Sequence, residues 1–219
     1  MTVNEADPEQ VQAVVKRVRD KVQVEGGEWP GGWPGKIEAA VIDAVFSIRA
    51  NYGSPTNGVR AVVSRWQDHR GTKQVDDLAQ LAKFKDDPEG ILAILGNEQK
   101  LSGGMLKAQG CALVAQCLID VGIQTSKDDK AESDGRRAWN SVYGLGNVTW
   151  SYTRMLLGHQ DVKADRMIQR FVKNAFNAEG IDATANAKVA RSVVIAAAKD
   201  LSVEPVTLDH AIWQHQRRL

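Results

Sequence analysis

Val142-Tyr143-Gly144-Leu145-Gly146-Asn147-Val148-Thr149-Trp150 is the stretch that decides how this chain folds. Two glycines with one residue between them, Gly144 and Gly146, allow the backbone to turn tightly between two helices. The turn leads into the N-terminus of a helix, where the backbone N–H groups carry a partial positive charge. The stretch therefore predicts two helices joined by a glycine turn, with outward-facing amides that suit a phosphate group.

The rest of the chain is also predicted to be helical. Segments rich in β-branched residues, such as 39–48, are interleaved with alanine and have helical rather than alternating apolar spacing. Asp7 followed by Pro8 is typical of a helix start, with an N-cap and a proline at the first helical position. The pattern predicts an all-α fold with helices at 8–22, 37–50, 58–68, 76–84, 88–95, 104–121, 131–142, 148–157, 165–177, 183–201 and 207–218.

Length and composition narrow the class of protein. The chain has 219 residues, of which 43% are hydrophobic and 25% charged, which is typical of a compact globular unit. No apolar run is long enough to span a bilayer, and the acidic start has no signal-peptide core, so we expect a cytoplasmic monomer with no membrane partner. Cys111, Cys117 and four scattered histidines match no metal-ligand spacing, and we predict no metal and no cofactor.

The distribution of charge is more informative than its sum. The net charge of +1 is too small to indicate nucleic-acid binding by itself. Basic residues are concentrated on both sides of the glycine turn, where Asp161 and Asp165 are the acidic residues among Arg136, Arg137, Arg154, Lys163, Arg166, Arg170 and Lys173. This concentration predicts a basic surface, although solvated faces of ordinary helices produce the same pattern.

The glycine turn and the segment after it resemble the helix-hairpin-helix DNA glycosylase superfamily, which includes endonuclease III, adenine glycosylase and the oxoguanine glycosylases. The family pattern is Leu-Pro-Gly-Val-Gly-x-x-Thr-Ala, then an apolar helix, then an Asp that opens the next helix with an Arg five residues later. This chain has Gly144, Gly146 and Thr149, then an apolar helix, then Asp165 with Arg170 five residues on. The resemblance covers about residues 37–176.

The resemblance implies a two-lobed all-α fold in which residues 1–219 form one glycosylase-like unit with interleaved lobes. The hairpin and the catalytic segment would span about 131–176, and double-stranded DNA would be the partner, with the protein associated with the nucleoid when bound. Asp165 would be catalytic, stabilising an oxocarbenium-like sugar and orienting water. The residues implied to contact DNA are Tyr143, Gly144, Leu145, Gly146, Asn147, Val148, Thr149, Arg49, Arg166 and Arg170.

The chain departs from the family pattern at positions that bear on the reaction. Val148 stands where strand-cutting relatives carry the lysine that forms a Schiff base with the sugar. The resemblance therefore implies hydrolysis of the bond to a damaged or modified base, without strand cleavage; Lys107 is a conceivable substitute lysine. Tyr143 replaces the usual proline, and Arg166 with Met167 replaces the family's Thr-His.

Several alternatives stay open at this point. Asp165 is also well placed to cap its helix, a common role for aspartate, and Arg49 to interact with the last carbonyls of its own helix. The chain would then be a non-catalytic protein that binds damaged or distorted DNA, or a helical scaffold for another protein. Aromatic residues that could stack on a flipped base are Trp29, Trp33, Tyr52, Trp139 and Trp150.

Overall fold

The structure is a computed structural model that describes residues 6–24, 29, 31–50, 57–128 and 132–219. The described residues form eleven helices and no strand, which confirms the predicted all-α class. In chain order the helices are α1 (Pro8–Lys21), α2 (Ile37–Phe46), α3 (Val59–Arg70), α4 (Ala79–Ala82), α5 (Pro88–Leu95), α6 (Lys107–Asp120), α7 (Glu132–Ser141), α8 (Asn147–Leu156), α9 (Arg166–Ala178), α10 (Ala187–Asp200) and α11 (Pro205–Arg217).

Side-chain caps fix several of the helix starts. The carboxylate of Asp7 accepts the N–H of Glu9 at 2.9 Å and begins α1. Asp87 accepts the N–H of Gly90 at 2.9 Å and begins α5. Each cap is followed by a proline at the first helical position, so both starts lie where the sequence predicts them.

Several predicted helices are shorter in the structure, among them α10, which begins at Ala187 rather than at residue 183. α2 ends at Phe46 rather than at residue 50, and the segment predicted as a helix over 76–84 is helical only in α4. α6 begins at Lys107 rather than at 104, because a turn precedes it. That turn is closed by the N–H of Leu101 on the Met105 carbonyl and by the N–H of Lys107 on the Gln99 carbonyl, both at 2.8 Å.

The chain divides into two compact units, and the first comprises residues 32–159 with helices α2 to α8. Helix α2 is buried along its whole length and packs against α3, α6 and α8. Its buried Glu38 accepts hydrogen bonds from Trp66 Nε1 at 2.7 Å and from Arg70 Nε at 3.1 Å. Burial raises the pKa of Glu38 above its usual value, and these donors compensate the cost of burying the group.

The second unit is discontinuous in sequence and comprises residues 1–31 and 160–219. Helix α1 packs against α9 and α10, and α9 also packs against α11. The core of this unit contains Val14 and Val18 of α1, Phe171 of α9, Val194 of α10 and Ile212 of α11. The terminal segments of the chain therefore share one hydrophobic core.

Candidate functional site

The glycine turn joins α7 to α8 within the unit of residues 32–159. The N–H of Leu145 donates to the carbonyl of Val142 at 3.0 Å and closes the turn. Gly144 has a φ of +97°, a conformation that residues with a side chain rarely adopt. Gly146 is extended and serves as the N-cap of α8. The local structure is that of two helices joined by a tight turn, as the sequence predicts.

The turn lies directly on the loop that precedes α6. A Cβ on Gly144 would be 2.9 Å from the Cβ of Leu101, and the absence of a side chain at Gly103 makes room for the ring of Tyr143. Tyr143 nevertheless remains 70% exposed. The turn therefore has a fixed base and presents an aromatic ring to solvent at its tip.

The hydroxyl of Thr149 holds the turn to the start of α8. Its Oγ1 accepts the N–H of Gly146 at 3.1 Å and the Nε1–H of Trp139 at 2.8 Å, and it donates to the carbonyl of Gly146 at 2.8 Å. A hydroxyl has one donor and two acceptor sites, and all three are used here. Thr149, implied by the resemblance to contact DNA, thus has a structural role inside the turn.

The outward-facing amides of the turn are those of the first residues of α8. The N–H of Gly146 is engaged by Thr149, whereas the N–H groups of Asn147 and Val148 have no hydrogen bond to any residue that the structure describes. Asn147 is exposed, and its Oδ1 accepts the Nδ2–H of Asn140 at 2.7 Å. The positive end of α8 is consequently open at two amides.

Two tryptophans pack α7 against α8 behind the turn. The rings of Trp139 and Trp150 are 5.8 Å apart between centroids, and both side chains are buried. A Cβ on Gly135 of α7 would be 2.7 Å from the ring of Trp150, so the helices approach closely at this glycine. Close packing of this kind makes the pair of helices a firm support for the turn.

The aromatic residues considered for base stacking occupy different environments. Trp139 and Trp150 are 0% and 3% exposed and present no ring face to solvent. Trp33 is partly buried and donates its Nε1–H to Asp43 at 2.9 Å. Trp29 packs edge-on against His210 with 5.6 Å between ring centroids. Tyr52 lies outside the described residues.

Arg49 lies just beyond the end of α2, exposed, with a φ of +52°. The buried Lys107 ends the helix: its Nζ donates to the carbonyls of Phe46 and Ile48 at 3.1 and 2.5 Å and to Gln99 Oε1 at 2.7 Å. A cation at this position complements the negative end of α2. Burial lowers the pKa of Lys107 to about 8. All three donors of this amine are engaged within the unit, and sequence reasoning missed this role.

Asp165 belongs to the other unit, where it begins α9. Its Oδ1 accepts the N–H of Met167 at 2.8 Å and of Ile168 at 3.3 Å, which makes it the N-cap of the helix. The side chain is half-buried. The carboxylate therefore lies at the positive end of α9. Its Oδ1 makes both hydrogen bonds of the cap, and Oδ2 takes no part in the cap.

The two arginines near Asp165 have different surroundings. Arg166, the first residue of α9, is exposed. Arg170 donates from Nε to Gln216 Oε1 at 2.6 Å and from its guanidinium to the Gln216 carbonyl at 2.9 Å. Arg170 thus binds the last turn of α11, where a cation is favourable, whereas Arg166 lies exposed at the start of α9.

The segment before Asp165 is held by two further side chains that the sequence did not single out. The buried carboxylate of Asp161 accepts Arg191 Nε at 2.6 Å and the N–H of Val162 at 2.7 Å. Asp209 of α11 is 5% exposed and accepts the N–H of Lys163. Burial raises the pKa of Asp209 well above its usual value. No local motif identified either acid, because their burial depends on distant helices.

Among the helices of the described residues, none has the length and apolar character needed to cross a membrane.

Comparison with known proteins places the chain in a family without a described activity. Neither the curated proteins nor the solved structures gave a significant match. Residues 9–217, nearly the whole chain, match a family described as a domain of unknown function, DUF8548. The protein is therefore a member of the DUF8548 family.

Proposed function

We propose that the protein is a monofunctional DNA glycosylase that hydrolyses the N-glycosidic bond of a damaged or modified base in duplex DNA. The sugar carbon of a stacked nucleotide cannot be reached, so the base has to be flipped out of the helix first. Such an enzyme needs elements that bind the DNA backbone and a carboxylate that stabilises the cationic sugar. The glycine turn would supply the first and Asp165 the second.

The observation that carries the proposal is the glycine turn with two open amides at the start of α8. Gly144 has the positive φ that the turn requires, and the amides of Asn147 and Val148 have no partner among the described residues. Backbone N–H groups at a helix N-terminus suit a phosphate group. Tyr143 and Arg166 are exposed and would add contacts to the nucleic acid.

Asp165 supports the catalytic part of the proposal by its position and its second oxygen. It opens α9 seventeen residues after Val148, at the place where the resemblance assigns the catalytic carboxylate. Its Oδ1 caps the helix, and Oδ2 would be the atom that stabilises the developing positive charge on the sugar or orients the attacking water.

The two positions considered for the lysine of a strand-cutting enzyme support hydrolysis rather than strand cleavage. Val148 has no amine, and the Nζ of Lys107 is buried and donates to three oxygen acceptors. An amine nucleophile needs an accessible lone pair. With neither position supplying one, water is the nucleophile in the proposed reaction.

The test is a set of duplexes that each contain one modified base, including oxidised guanine and alkylated purines. After incubation with the protein, half of each sample is treated with alkali, which cuts the strand at abasic sites. We expect at least one duplex to be cut only in the alkali-treated half. Asp165→Asn should lose this activity, whereas Asp182→Asn, a matched control that changes an exposed acid in the same unit as Asp165, should retain it. Failure to release any base across the set would overturn the proposal.

A second candidate is a DNA-binding protein without catalysis, and the cap at Asp165 favours it. The bonds of Oδ1 to two backbone amides are a sufficient structural reason for an aspartate at this position. Such a protein would bind duplex DNA and leave every base in place.

The variant Gly146→Ala tests DNA binding, which both candidates share. Gly146 has an extended φ of −163°, and a Cβ there meets no atom within 4 Å, so the substitution leaves the fold unchanged. The added methyl group would block close approach of a phosphate to the turn. We expect weaker binding of a fluorescent duplex in an anisotropy titration at low salt. Equal affinity of the variant and the unmodified protein would show that this turn does not bind DNA.

A further inference from the structure

Asp209 is a buried acid in the unit formed by residues 1–31 and 160–219. It lies in the first turns of α11 and is 5% exposed. One of its oxygens, Oδ1, is buried and has no hydrogen-bond partner among the described residues. Buried polar atoms without a partner are rare in folded proteins, and each one calls for an explanation.

Hydrogen bonds on both sides of the Lys163 Cα connect Asp209 to Asp165. The N–H of Lys163 donates to the Asp209 carboxyl, and the carbonyl of Lys163 accepts the N–H of Asp165 at 2.5 Å. The side chain of Asp209 therefore binds the residue whose carbonyl accepts the N–H of Asp165. Two residues before Lys163, the ion pair between Asp161 and Arg191 anchors the same segment.

The surroundings of Asp209 favour its neutral form. Burial raises the pKa of Asp209, and the negative charges of Asp165 and Asp161 raise it further, while the ammonium and the N–H of Lys163 act in the opposite direction. A neutral carboxyl is far less costly to bury than an anion. Asp165, in contrast, is half-buried and accepts two amides at the positive end of α9, an arrangement that suits an anion.

We propose that Asp209 is a positioning residue for Asp165: a neutral acid that fixes the backbone before α9, so that the pair carries a single negative charge, located on Asp165. The inference rests on the proposed function, in which that charge stabilises the cationic sugar. Pairs of acids whose surroundings separate their protonation states divide their roles in this way. Asp209 would not touch the substrate.

The direct test is carbon NMR of the full-length protein labelled with ¹³C at the aspartate Cγ positions. The Asp209 signal is assigned with Asp209→Asn and the Asp165 signal with Asp165→Asn. At pH 7 we expect Asp209 at the chemical shift of a protonated carboxyl and Asp165 at that of a carboxylate. An Asp209 signal at the carboxylate position at pH 7 would overturn the inference.

The positioning role is tested by comparing two variants. Asp209→Asn keeps an oxygen that accepts the N–H of Lys163, whereas Asp209→Ala removes it. We expect the backbone amide shifts of Lys163 and Asp165 to stay near their original values in the Asn variant and to move in the Ala variant. Amide shifts that stay unchanged in a folded Ala variant would contradict a positioning role. The labelled original protein gives its answer even where the Ala variant does not fold.

None of these measurements requires DNA or turnover. A protein that removes no base but contains a protonated Asp209 would overturn the proposed function and leave the acid pair intact. A protein that removes a base while Asp209 is ionised would do the reverse. The two proposals therefore fail in distinguishable ways.

Discussion

The glycine turn at Gly144–Gly146 and the acidic segment at Asp161–Asp165 are stabilised by different means. The turn lies on two buried tryptophans and on a hydroxyl whose three hydrogen bonds are all made. The acidic segment is held by the carboxyl groups of Asp161 and Asp209, and Asp209 has a buried oxygen, Oδ1, without a partner among the described residues. Packing fixes the backbone conformation of the glycine turn. In the acidic segment, the buried acids would fix the position of the negative charge on Asp165.

This difference predicts that the turn is sensitive to loss of volume and the acidic segment to pH.

The largest effect is expected for Trp139→Ala. The substitution leaves a cavity between α7 and α8 and removes the donor to Thr149 Oγ1, because Trp139 is fully buried. We expect the free energy of unfolding to fall by about 3–5 kcal/mol, as for other buried aromatic residues, in urea denaturation. Tyr143→Ala, at the 70% exposed tip of the same turn, should change it by less than about 0.5 kcal/mol. Similar losses in both variants would contradict a packed support for the turn.

Thr149→Val should destabilise the turn through its hydrogen bonds. Valine has nearly the shape of threonine but leaves the Nε1–H of Trp139 and the N–H of Gly146 without an acceptor. The expected cost is about 1–3 kcal/mol in the free energy of unfolding. Thr149→Ser retains the hydroxyl and should lose less. If valine is tolerated as well as serine, the hydroxyl does not hold the turn.

The acidic segment should make stability depend on pH through Asp209. Its folded-state pKa is raised above the usual value of 3.8, so its contribution to stability is complete below that value. The contribution is lost as the pH rises from that value through the folded-state pKa. Between these two pKa values the folded protein binds up to one proton more than the unfolded chain. The loss for one proton is about 1.4 kcal/mol per pH unit.

Asp209→Asn removes the titrating group. Comparing this variant with the unmodified protein therefore isolates the contribution of Asp209 to the pH dependence of stability. Thermal unfolding of the variant and of the unmodified protein is followed from pH 4 upward. We expect the unmodified protein to lose stability relative to the variant as the pH rises. A difference that is constant with pH would mean that Asp209 is ionised in the folded protein.

The smallest effect concerns the cap of α9. Asp165→Ala removes the acceptor for two amides and should cost about 1 kcal/mol of stability, whereas Asp165→Asn keeps a good N-cap and should cost little. Thermal denaturation of the two variants measures this difference. Equal stability of both variants would show that the cap contributes nothing.

Local signals in the sequence account for much of the fold. Capping residues and prolines place the starts of α1 and α5, and the glycines place the turn between α7 and α8. The end of α2 could not be predicted in this way. It is set by Lys107, which is far away in sequence and reaches the carbonyls of Phe46 and Ile48.

The candidate site shows the same division. Gly144 and Asp165 stand out because each has a local role, in a turn and in a cap respectively. Asp209 and Asp161 do not stand out, because an aspartate in a helix or loop is usually exposed. Their burial follows only from the packing of the helices around them, which no pattern of spacing along the chain describes.

The central claim is that Asp165 is the catalytic carboxylate of a DNA glycosylase. The most direct measurement is the single-turnover rate of base release by the unmodified protein and by Asp165→Asn, with protein in excess over a duplex that contains the base removed. Because asparagine retains the cap, the comparison isolates the charge. We predict a rate at least about a hundredfold lower in the variant, the usual size of a lost electrostatic contact to the transition state. Equal rates in the two proteins would contradict the account.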